Sequence, residues 1–443
     1  MKRSTISEAR TSTRRRMALA TVLAGSLFVA ACSGGDGETA DSVPASTEAE
    51  STETTDASGL PSTEADLYGG PPTGPEMIVG LINTEGTPGL DFPNMRRFIE
   101  AAVAWTNENG GFGNRPITLE TCIVKGSPET SQACAQELVG KNVELILLGF
   151  DLFPDYKTFE AASLPVIGVL PILAPDYTAN ALFLTGGNAT LGGAIAAVAK
   201  DHLKASTVAM VHSDNAGANS TAASFQAALE KAGITWTAVK GGDNETDAGY
   251  QGLMREAAKS NPDVIVSLYT DAGCIGTMRG RASLGITIPV ITTGACADKS
   301  VIDVVGDDAL GWLFAGLAED TDTPDRKLQR ELLAPVLEVT PEEVTVASLG
   351  LNGLGYALYM SLVDYANQMN SDGLEVTGQS IFDYLKAGEG LYLFGSQSPI
   401  ECGSLEKYPA VCSYVFPFAE YKGDGVIGPI DGLGLVDSKI YLP

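Results

Sequence analysis

The sequence predicts an α/β fold of the doubly wound class, in which helices cover both faces of parallel sheets. From residue 76 onward, short runs of apolar residues alternate with amphipathic stretches of ten or more residues. Strands that are apolar throughout and separated by helices indicate parallel sheets buried on both faces. Polar loops follow most of these runs, and sheets of this class bind ligands beyond the carboxyl ends of their strands.

The predicted elements alternate along the chain. The strands are Met77–Ile82, Ile117–Cys122, Val143–Leu148, Pro165–Val169, Val208–Val211, Val264–Leu268 and Pro289–Ile291. The helices between them are Pro93–Asn107, Thr130–Val139, Leu191–Leu203, Thr221–Lys231, Tyr250–Lys259 and Ile275–Leu284.

The last hundred residues follow a different pattern. Val344–Met369 has helical spacing throughout, and Gln379–Lys386 predicts a further helix. Tyr392–Pro443 is rich in Gly and Pro with short strand-like runs, which we expect to complete sheets begun earlier. Gly353-Leu354-Gly355 lacks the third glycine of a dinucleotide fingerprint, so we interpret its glycines as packing positions.

The N-terminus predicts export and not a folded domain. Residues 1–31 combine a basic start with a 15-residue apolar stretch, Met17–Ala31, which is too short for a comfortable membrane span. The small residues before Cys32 resemble a bacterial lipobox, in which the cysteine becomes the lipid-bearing N-terminus. An ordinary signal peptide with an incidental cysteine is the alternative. Thr13-Arg14-Arg15 is only faintly similar to a twin-arginine signal, so the Sec and twin-arginine routes both stay open.

Residues 32–75 predict a disordered acidic stalk. Residues 33–75 contain nine acidic and no basic residues and are rich in Ser, Thr, Ala, Gly and Pro, so they cannot bury a core. We identify no other segment long and apolar enough to cross a bilayer. The protein is therefore expected on the outer face of the cytoplasmic membrane, at the cell surface or in the periplasm, with a lipid anchor as its only membrane contact.

The composition of the whole chain limits its partners. A formal net charge of −27 does not suit a phosphate backbone or an anionic membrane surface, although acidity can also serve solubility alone. We therefore predict no nucleic-acid partner. With 443 residues, 44% of them apolar, the chain can form about two to three domain-sized units.

The cysteines predict disulfides. Six remain after Cys32, and an even number in an exported chain indicates paired thiols. Pairing of neighbours gives Cys122–Cys134, Cys274–Cys296 and Cys402–Cys412, although other connectivities stay open. Metal binding is the rival interpretation, but the sequence has only two histidines, His202 and His212, and no CxxC motif. We predict neither a metal nor a cofactor.

The sequence contains none of the common catalytic motifs that we searched for. The sequence has no G-x-S-x-G elbow, Walker A loop, H-E-x-x-H motif or EF-hand loop. His212 follows a predicted strand and is a candidate ligand contact, with a structural role and catalysis as the alternatives. We predict that the chain is not an enzyme.

Loops at predicted strand ends give the candidate ligand site. They are Asn83–Gly89, Gly149–Asp155, Leu170–Pro175, His212–Asn219, Tyr269–Cys274 and Thr293–Asp298. If the sheets face each other, these loops gather around one crevice. Any one of them, taken alone, is equally compatible with a plain connector.

The order of these pieces resembles the type I periplasmic binding proteins of branched-chain amino acid (Leu/Ile/Val) ABC transporters. Ile78-Val79-Gly80-Leu81-Ile82, a Gly/Thr/Pro loop, a helix and Trp105-Thr106-Asn107-Glu108-Asn109-Gly110-Gly111-Phe112 are similar to the opening of that family. Leu164-Pro165-Val166-Ile167 and Pro262-Asp263-Val264-Ile265 continue the likeness, which covers about residues 76–370. No single segment is specific to that family, but the order and spacing of the segments are.

The resemblance implies two doubly wound lobes joined by a hinge of three crossovers. Residues 76–187 and 317–392 would form the first lobe, and residues 188–316 and 393–443 the second. A monomer would close on a small-molecule solute, without chemistry on it, and would then be recognised by a membrane ABC permease.

The clamp that the family uses for an α-amino acid is missing here. Gly149-Phe150-Asp151-Leu152-Phe153 has no Ser, Leu170–Ile172 is apolar, and Ala216 stands where an aromatic residue is usual. Ala295 falls near the position of the acidic partner for the ammonium group. The resemblance therefore combines with these departures to predict a largely apolar solute with hydroxyl or cationic groups.

The predicted ligand-binding residues follow from this comparison. Apolar walls are expected from Phe150, Phe153, Leu170, Ile172 and Ala295, and polar contacts from Thr84, Glu85, Asp151, His212, Tyr269, Thr270 and Asp271. A ligand-sensing extracellular module has the same fold and stays an alternative. A surface hydrolase would need a nucleophile–base pair within about 3 Å.

Overall fold

The computed structural model describes residues 69–87, 91–316, 322–388, 390–396 and 398–443. Cys32, the predicted signal peptide and the predicted stalk up to residue 68 lie outside these ranges. The last predicted stalk residues are packed against the fold. The Gly110 amide donates to the carbonyl of Gly70 at 2.9 Å, and the Gly74 amide donates to that of Asn114 at 2.8 Å.

Sixteen strands are present in the described residues. In chain order, β1 to β16 are Met77–Thr84, Ile117–Val124, Leu145–Leu148, Val166–Gly168, Leu182–Phe183, Thr207–Ser213, Thr235–Gly241, Val264–Ser267, Val290–Thr293, Trp312–Ala315, Leu391–Tyr392, Pro399–Ile400, Val415–Phe416, Phe418–Gly423, Val426–Pro429 and Val436–Asp437.

Twelve α-helices are present in the same residues. In chain order, α1 to α12 are Pro93–Thr106, Pro128–Gly140, Tyr156–Ala161, Asn188–Ala197, Ala216–Lys231, Asp247–Ala258, Asp271–Ser283, Lys299–Val305, Pro324–Leu337, Val346–Leu349, Gly353–Ser371 and Gly378–Ala387. The first of them shows why they form. Pro93 occupies the first turn of α1, and Met95, Phe98, Ile99 and Ala102 bury one face at helical spacing.

The first lobe is built on a five-stranded sheet in the order β2-β1-β3-β4-β5, and all its pairs are parallel. β1 is central, with Met77 beside Ile117 and Val79 beside Leu145. Helices α1, α9, α11 and α12 pack on one face of this sheet in a single apolar cluster. A second cluster on the other face includes Phe159 and Leu138. The sheet is therefore covered on both sides, as its apolar strands predict.

The second lobe is built on a seven-stranded sheet in the order β15-β14-β10-β9-β8-β6-β7. The strands from β6 to β10 pair in parallel, and β14 and β15 complete the edge in antiparallel orientation. Apolar clusters cover both faces of this sheet. The expectation that C-terminal segments complete earlier sheets is confirmed for β14 and β15.

The chain passes between the lobes three times. In the first passage, Leu184 packs in the first-lobe core and Ala194 in the second-lobe core. In the second passage, Ala315 packs in the second-lobe core and Leu328 in the first-lobe core. In the third passage, Cys412 packs in the first-lobe core and Phe416 in the second-lobe core. These passages form the three-crossover hinge. The predicted change of lobe after Tyr392 comes earlier than the observed one, because Leu393, Phe394 and Ile400 still pack in the first core.

Several elements differ from prediction. β7 was not predicted because its side chains are mostly exposed or half-buried and form no apolar run. The predicted helix Val344–Met369 is broken at Gly350, whose φ of 50° lies in the left-handed region. By length and composition alone, residues 346–371 pass as a membrane span, contrary to expectation. Most side chains of α11 are instead buried in the first-lobe core.

Candidate functional site

A cleft of about 980 Å³ opens between the two lobes. Its walls include the loops that follow β3 and β4 in the first lobe and β6, β7, β8 and β9 in the second. Its base is formed by the hinge, including Gly186, Gly316 and Phe416. Carboxyl ends of parallel strands from both sheets therefore meet at one crevice, as expected for this fold class.

A pair of stacked aromatic rings forms part of the first-lobe wall. The ring centroids of Phe92 and Phe150 lie 4.1 Å apart, at an interplanar angle of 21°. Both rings line the cleft, together with Leu152, Leu170 and Ile172. The stack gives the first lobe an apolar surface large enough for a ring or a branched chain.

The end of β1 holds these two rings in place. The Asn83 side-chain amide donates to the carbonyl of Phe92 at 2.8 Å, and its oxygen accepts from the Phe150 amide at 3.2 Å. The Thr84 hydroxyl donates to the carbonyl of Phe150 at 2.7 Å. Asn83 and Thr84 are buried, so they act on the cleft through the backbone of Phe92 and Phe150.

A buried carboxylate shapes the next loop of the first-lobe wall. Asp176 accepts hydrogen bonds from the amides of Ile172 and Leu173 at 2.7 and 2.8 Å and from the Tyr156 hydroxyl at 2.8 Å. Burial raises the pKa of Asp176, and these hydrogen bonds partly oppose that shift. The carboxylate thus fixes the backbone that presents Leu170 and Ile172 to the cleft.

The second-lobe wall is mostly small and polar. Asn215 caps α5 by accepting from the Ala218 amide at 2.8 Å. Its own amide group donates to Asp243 at 2.5 Å and to the Ser213 hydroxyl at 3.0 Å. All of these residues line the cleft. The Tyr269 hydroxyl donates to the carbonyl of Gly242 at 3.3 Å, and burial raises the pKa of Tyr269.

A buried disulfide joins two loops of this wall. Cys274 and Cys296 are bonded and fully buried, while their neighbours Gly273 and Ala295 line the cleft. Cys122–Cys134 and Cys402–Cys412 form the other two disulfides, so the structure confirms all three predicted pairs. Among the described residues, no group of three or more His, Cys, Asp or Glu is arranged to hold a metal ion.

The predicted site residues divide into two groups. Seven of them line the cleft, and these are Phe150, Leu170, Ile172, Tyr269, Thr270, Asp271 and Ala295. Five do not line it, and these are Thr84, Glu85, Asp151, Phe153 and His212.

The placement of Thr84 and Glu85 corrects the prediction that these two residues form a wall of the cleft. Glu85 forms an ion pair with Arg96 of α1 at 2.8 Å. The Glu85 carboxylate therefore binds another side chain of the first lobe and does not face the cleft. Thr84 is turned to the Phe150 backbone, as described above, so its hydroxyl is already committed.

Asp151, Phe153 and His212 are also placed away from the cleft. Asp151 is buried and accepts from the Ser131 hydroxyl at 2.7 Å and from the Phe153 amide at 3.0 Å. Phe153 is partly exposed to solvent elsewhere. The His212 ring is fully buried, and its Nδ1 lies 2.8 Å from the carbonyl of Ser213. Its Nε2 has no hydrogen-bond partner among the described residues, so His212 has no paired nucleophile there.

Several cleft residues were not predicted. Phe92 precedes a helix and does not follow a strand, and Asp243 follows β7, which was not predicted. Asn215 lies in the predicted cleft loop His212–Asn219 but was not among the predicted binding residues. Arg326 and Gln329 lie one turn apart on the buried face of α9, and the Arg326 guanidinium donates to the Gln329 side-chain oxygen. A polar pair at i and i+3 on an otherwise apolar helix face is the sequence signal that identifies them.

A family model described as a periplasmic binding protein matches residues 77–386. The fold is similar to an ABC transporter substrate-binding protein from Sphaerobacter thermophilus, with 20% identity, a TM-score of 0.64, and coverage of 82% of this chain and 98% of that one. A leucine-binding protein from Thermotoga maritima aligns with 15% identity, a TM-score of 0.60, and 82% and 99% coverage.

A third similar structure is a solute-binding protein of an ABC transporter from R. palustris in complex with 4-hydroxybenzoate. It aligns with 18% identity and a TM-score of 0.61, covering 82% of this chain and 97% of that one. No curated protein matches the sequence. At these identities the solved structures establish the shared fold.

Proposed function

Since the chain belongs to the periplasmic binding protein family, we propose that it captures a small, largely apolar solute between its lobes for an ABC importer. The observation that carries this proposal is the cleft of about 980 Å³, whose first-lobe wall is the Phe92–Phe150 stack with Leu170 and Ile172. Cavities of this size are typical of small-molecule sites. Similar folds bind leucine in one protein and 4-hydroxybenzoate in another.

The mechanism we propose is closure driven by the solute. Contacts to both walls favour the closed arrangement of the lobes, so the solute shifts the equilibrium by its difference in affinity for the two states. The three-segment hinge supplies the pivot. A membrane permease then recognises the closed form, and the protein carries out no chemistry on the solute.

The proposed location is the outer face of the cytoplasmic membrane, with one monomer tethered through lipidated Cys32. The lipobox-like residues before Cys32, the acidic segment after it and the three disulfides support export. Replacing Cys32 with Ser should move the protein from the membrane fraction to the soluble fraction. A protein that stays in the membrane fraction after this change would contradict lipid anchoring.

The experiment that tests the function starts from the purified protein. Mass spectrometry of the denatured sample should identify a retained small molecule, and adding that molecule back should raise the melting temperature. Small-angle scattering should show a smaller radius of gyration in its presence. Tight binding of leucine or valine, with no response to apolar solutes, would contradict the proposed solute class.

A further inference from the structure

The two walls of the cleft differ in chemistry. Phe92, Phe150, Leu354 and Phe394 represent the first-lobe wall, which is largely apolar. Ser213, Asn215, Thr270 and Asp271 represent the second-lobe wall, which is mostly polar. A solute that contacts both walls after closure therefore needs an apolar body and a polar head.

The charges in the cleft indicate the sign of that head. Arg326 is the sole basic residue among the described residues that line the cleft. It is 4% exposed and donates to Gln329 within the first lobe, so it presents little of its surface to a solute. The two acidic residues of the lining, Asp243 and Asp271, both lie in the second lobe.

Both carboxylates are exposed, and Asp271 is the one without a side-chain partner. Asp243 accepts a hydrogen bond from Asn215 at 2.5 Å. The Asp271 carboxylate forms no hydrogen bond or ion pair with another described residue. Its backbone has a φ of 45°, a region that Asp adopts more readily than most residues. The buried disulfide at Cys274 holds the turn that carries it.

The first-lobe wall is compatible with a cationic solute. The faces of Phe92 and Phe150 attract positive charge through their quadrupoles, as well as burying apolar groups. A carboxylate-bearing head would instead meet two acidic side chains on the second-lobe wall.

We infer that the cleft selects an amphipathic amine, with its apolar body on the Phe92–Phe150 stack and its ammonium head on Asp271. Asp271 is then the residue that determines specificity. This inference rests on the proposed solute-binding function and narrows it to one chemical class. Ammonium groups donate hydrogen bonds and carry charge, which suits a carboxylate that only accepts.

Three probes that share a phenyl ring test this inference by isothermal titration calorimetry on the folded full chain. They are 2-phenylethylamine, 2-phenylethanol and 3-phenylpropanoate. We expect the amine to bind at least about tenfold more tightly than the carboxylate. Asp271→Asn should weaken amine binding about tenfold and leave alcohol binding nearly unchanged, because Asn keeps the backbone preference of Asp but not its charge.

Asp424→Asn is a matched control. Asp424 is also exposed, and its backbone φ of 53° also lies in the left-handed region, but it does not line the cleft. This variant should bind the amine like the parent. Tightest binding of the carboxylate, with a loss in Arg326→Gln, would overturn the inference. So would amine binding that is undetectable or insensitive to Asp271→Asn. The solute-binding function itself fails separately, if no molecule is retained by the purified protein and none of a broad solute panel raises its melting temperature.

Discussion

At the residue scale, the buried carboxylate of Asp151 should make the unfolding free energy depend on pH. Its Oδ1 accepts both hydrogen bonds, from Ser131 and Phe153, while Oδ2 is buried with no partner among the described residues. Burial raises the pKa of Asp151, so the folded state holds the proton more tightly than the unfolded state does. Its contribution to the unfolding free energy is therefore full below about pH 4 and is lost as pH rises through the folded pKa.

Asp151→Asn keeps the accepting oxygen and removes the buried charge. We expect urea denaturation to show a gain of roughly 1 kcal/mol at pH 7 and no gain at pH 3.5, where the parent carboxyl is protonated. Asp263→Asn is the control of opposite sign. Hydrogen bonds from the Ser206 and Thr207 amides lower the pKa of Asp263, so its stabilisation is lost as pH falls. An Asp151→Asn gain that does not depend on pH would contradict the argument.

The candidate site was only partly predictable at this scale. Tyr269, Thr270 and Asp271 follow an apolar strand, and parallel strands bring such residues to the cleft edge. Thr84 ends β1 and Glu85 follows it, but the Phe150 carbonyl and the Arg96 guanidinium turn these two side chains from the cleft. Those partners lie on other elements, and no local pattern identifies them.

At the element scale, the contact between α1 and α11 depends on one glycine. A Cβ atom at Gly355 would lie 2.5 Å from Met95 Cγ and 3.2 Å from the Met95 carbonyl oxygen. The interpretation of this glycine as a packing position is therefore confirmed. Gly355→Ala should force the two helices apart and lower the unfolding free energy by about 1–3 kcal/mol in urea denaturation.

Gly252 provides the matched control within another helix. It lies inside α6, and a Cβ atom there would meet nothing within 4 Å. Gly252→Ala should raise the unfolding free energy by about 0.5–1 kcal/mol, because alanine has the higher helix propensity. Equal effects of the two substitutions would contradict the packing argument.

Elements were predictable where burial and periodicity agree. β1, β3 and β8 are apolar throughout because both faces are covered. β7 was not predicted because it is an edge strand whose side chains are exposed or half-buried and form no apolar face. The position of the third hinge passage, near Ser413, was not predicted for another reason. It depends on contacts between residues that are far apart in the sequence.

At the scale of the whole molecule, a small cluster ties the two lobes together behind the cleft. Tyr177 and Val411, from the first-lobe side of the hinge, pack with Ala189 at the start of α4 and with Leu442. The Tyr177 hydroxyl accepts from the Ala189 amide at 2.9 Å. Lys231 of α5 also donates to the Leu442 carbonyl, so the last residues contact both lobes.

Leu442→Ala should lower the unfolding free energy by roughly 2–4 kcal/mol, because Leu442 is 4% exposed and its removal leaves a cavity at the hinge. It should also increase the radius of gyration of the ligand-free protein in small-angle scattering, since the cluster restrains opening of the lobes. Ile440, on the same segment, is 58% exposed, and Ile440→Ala should change stability by less than about 0.5 kcal/mol and leave the scattering unchanged. If Leu442→Ala destabilises the protein without changing the scattering profile, the cluster contributes to stability but does not restrain the hinge.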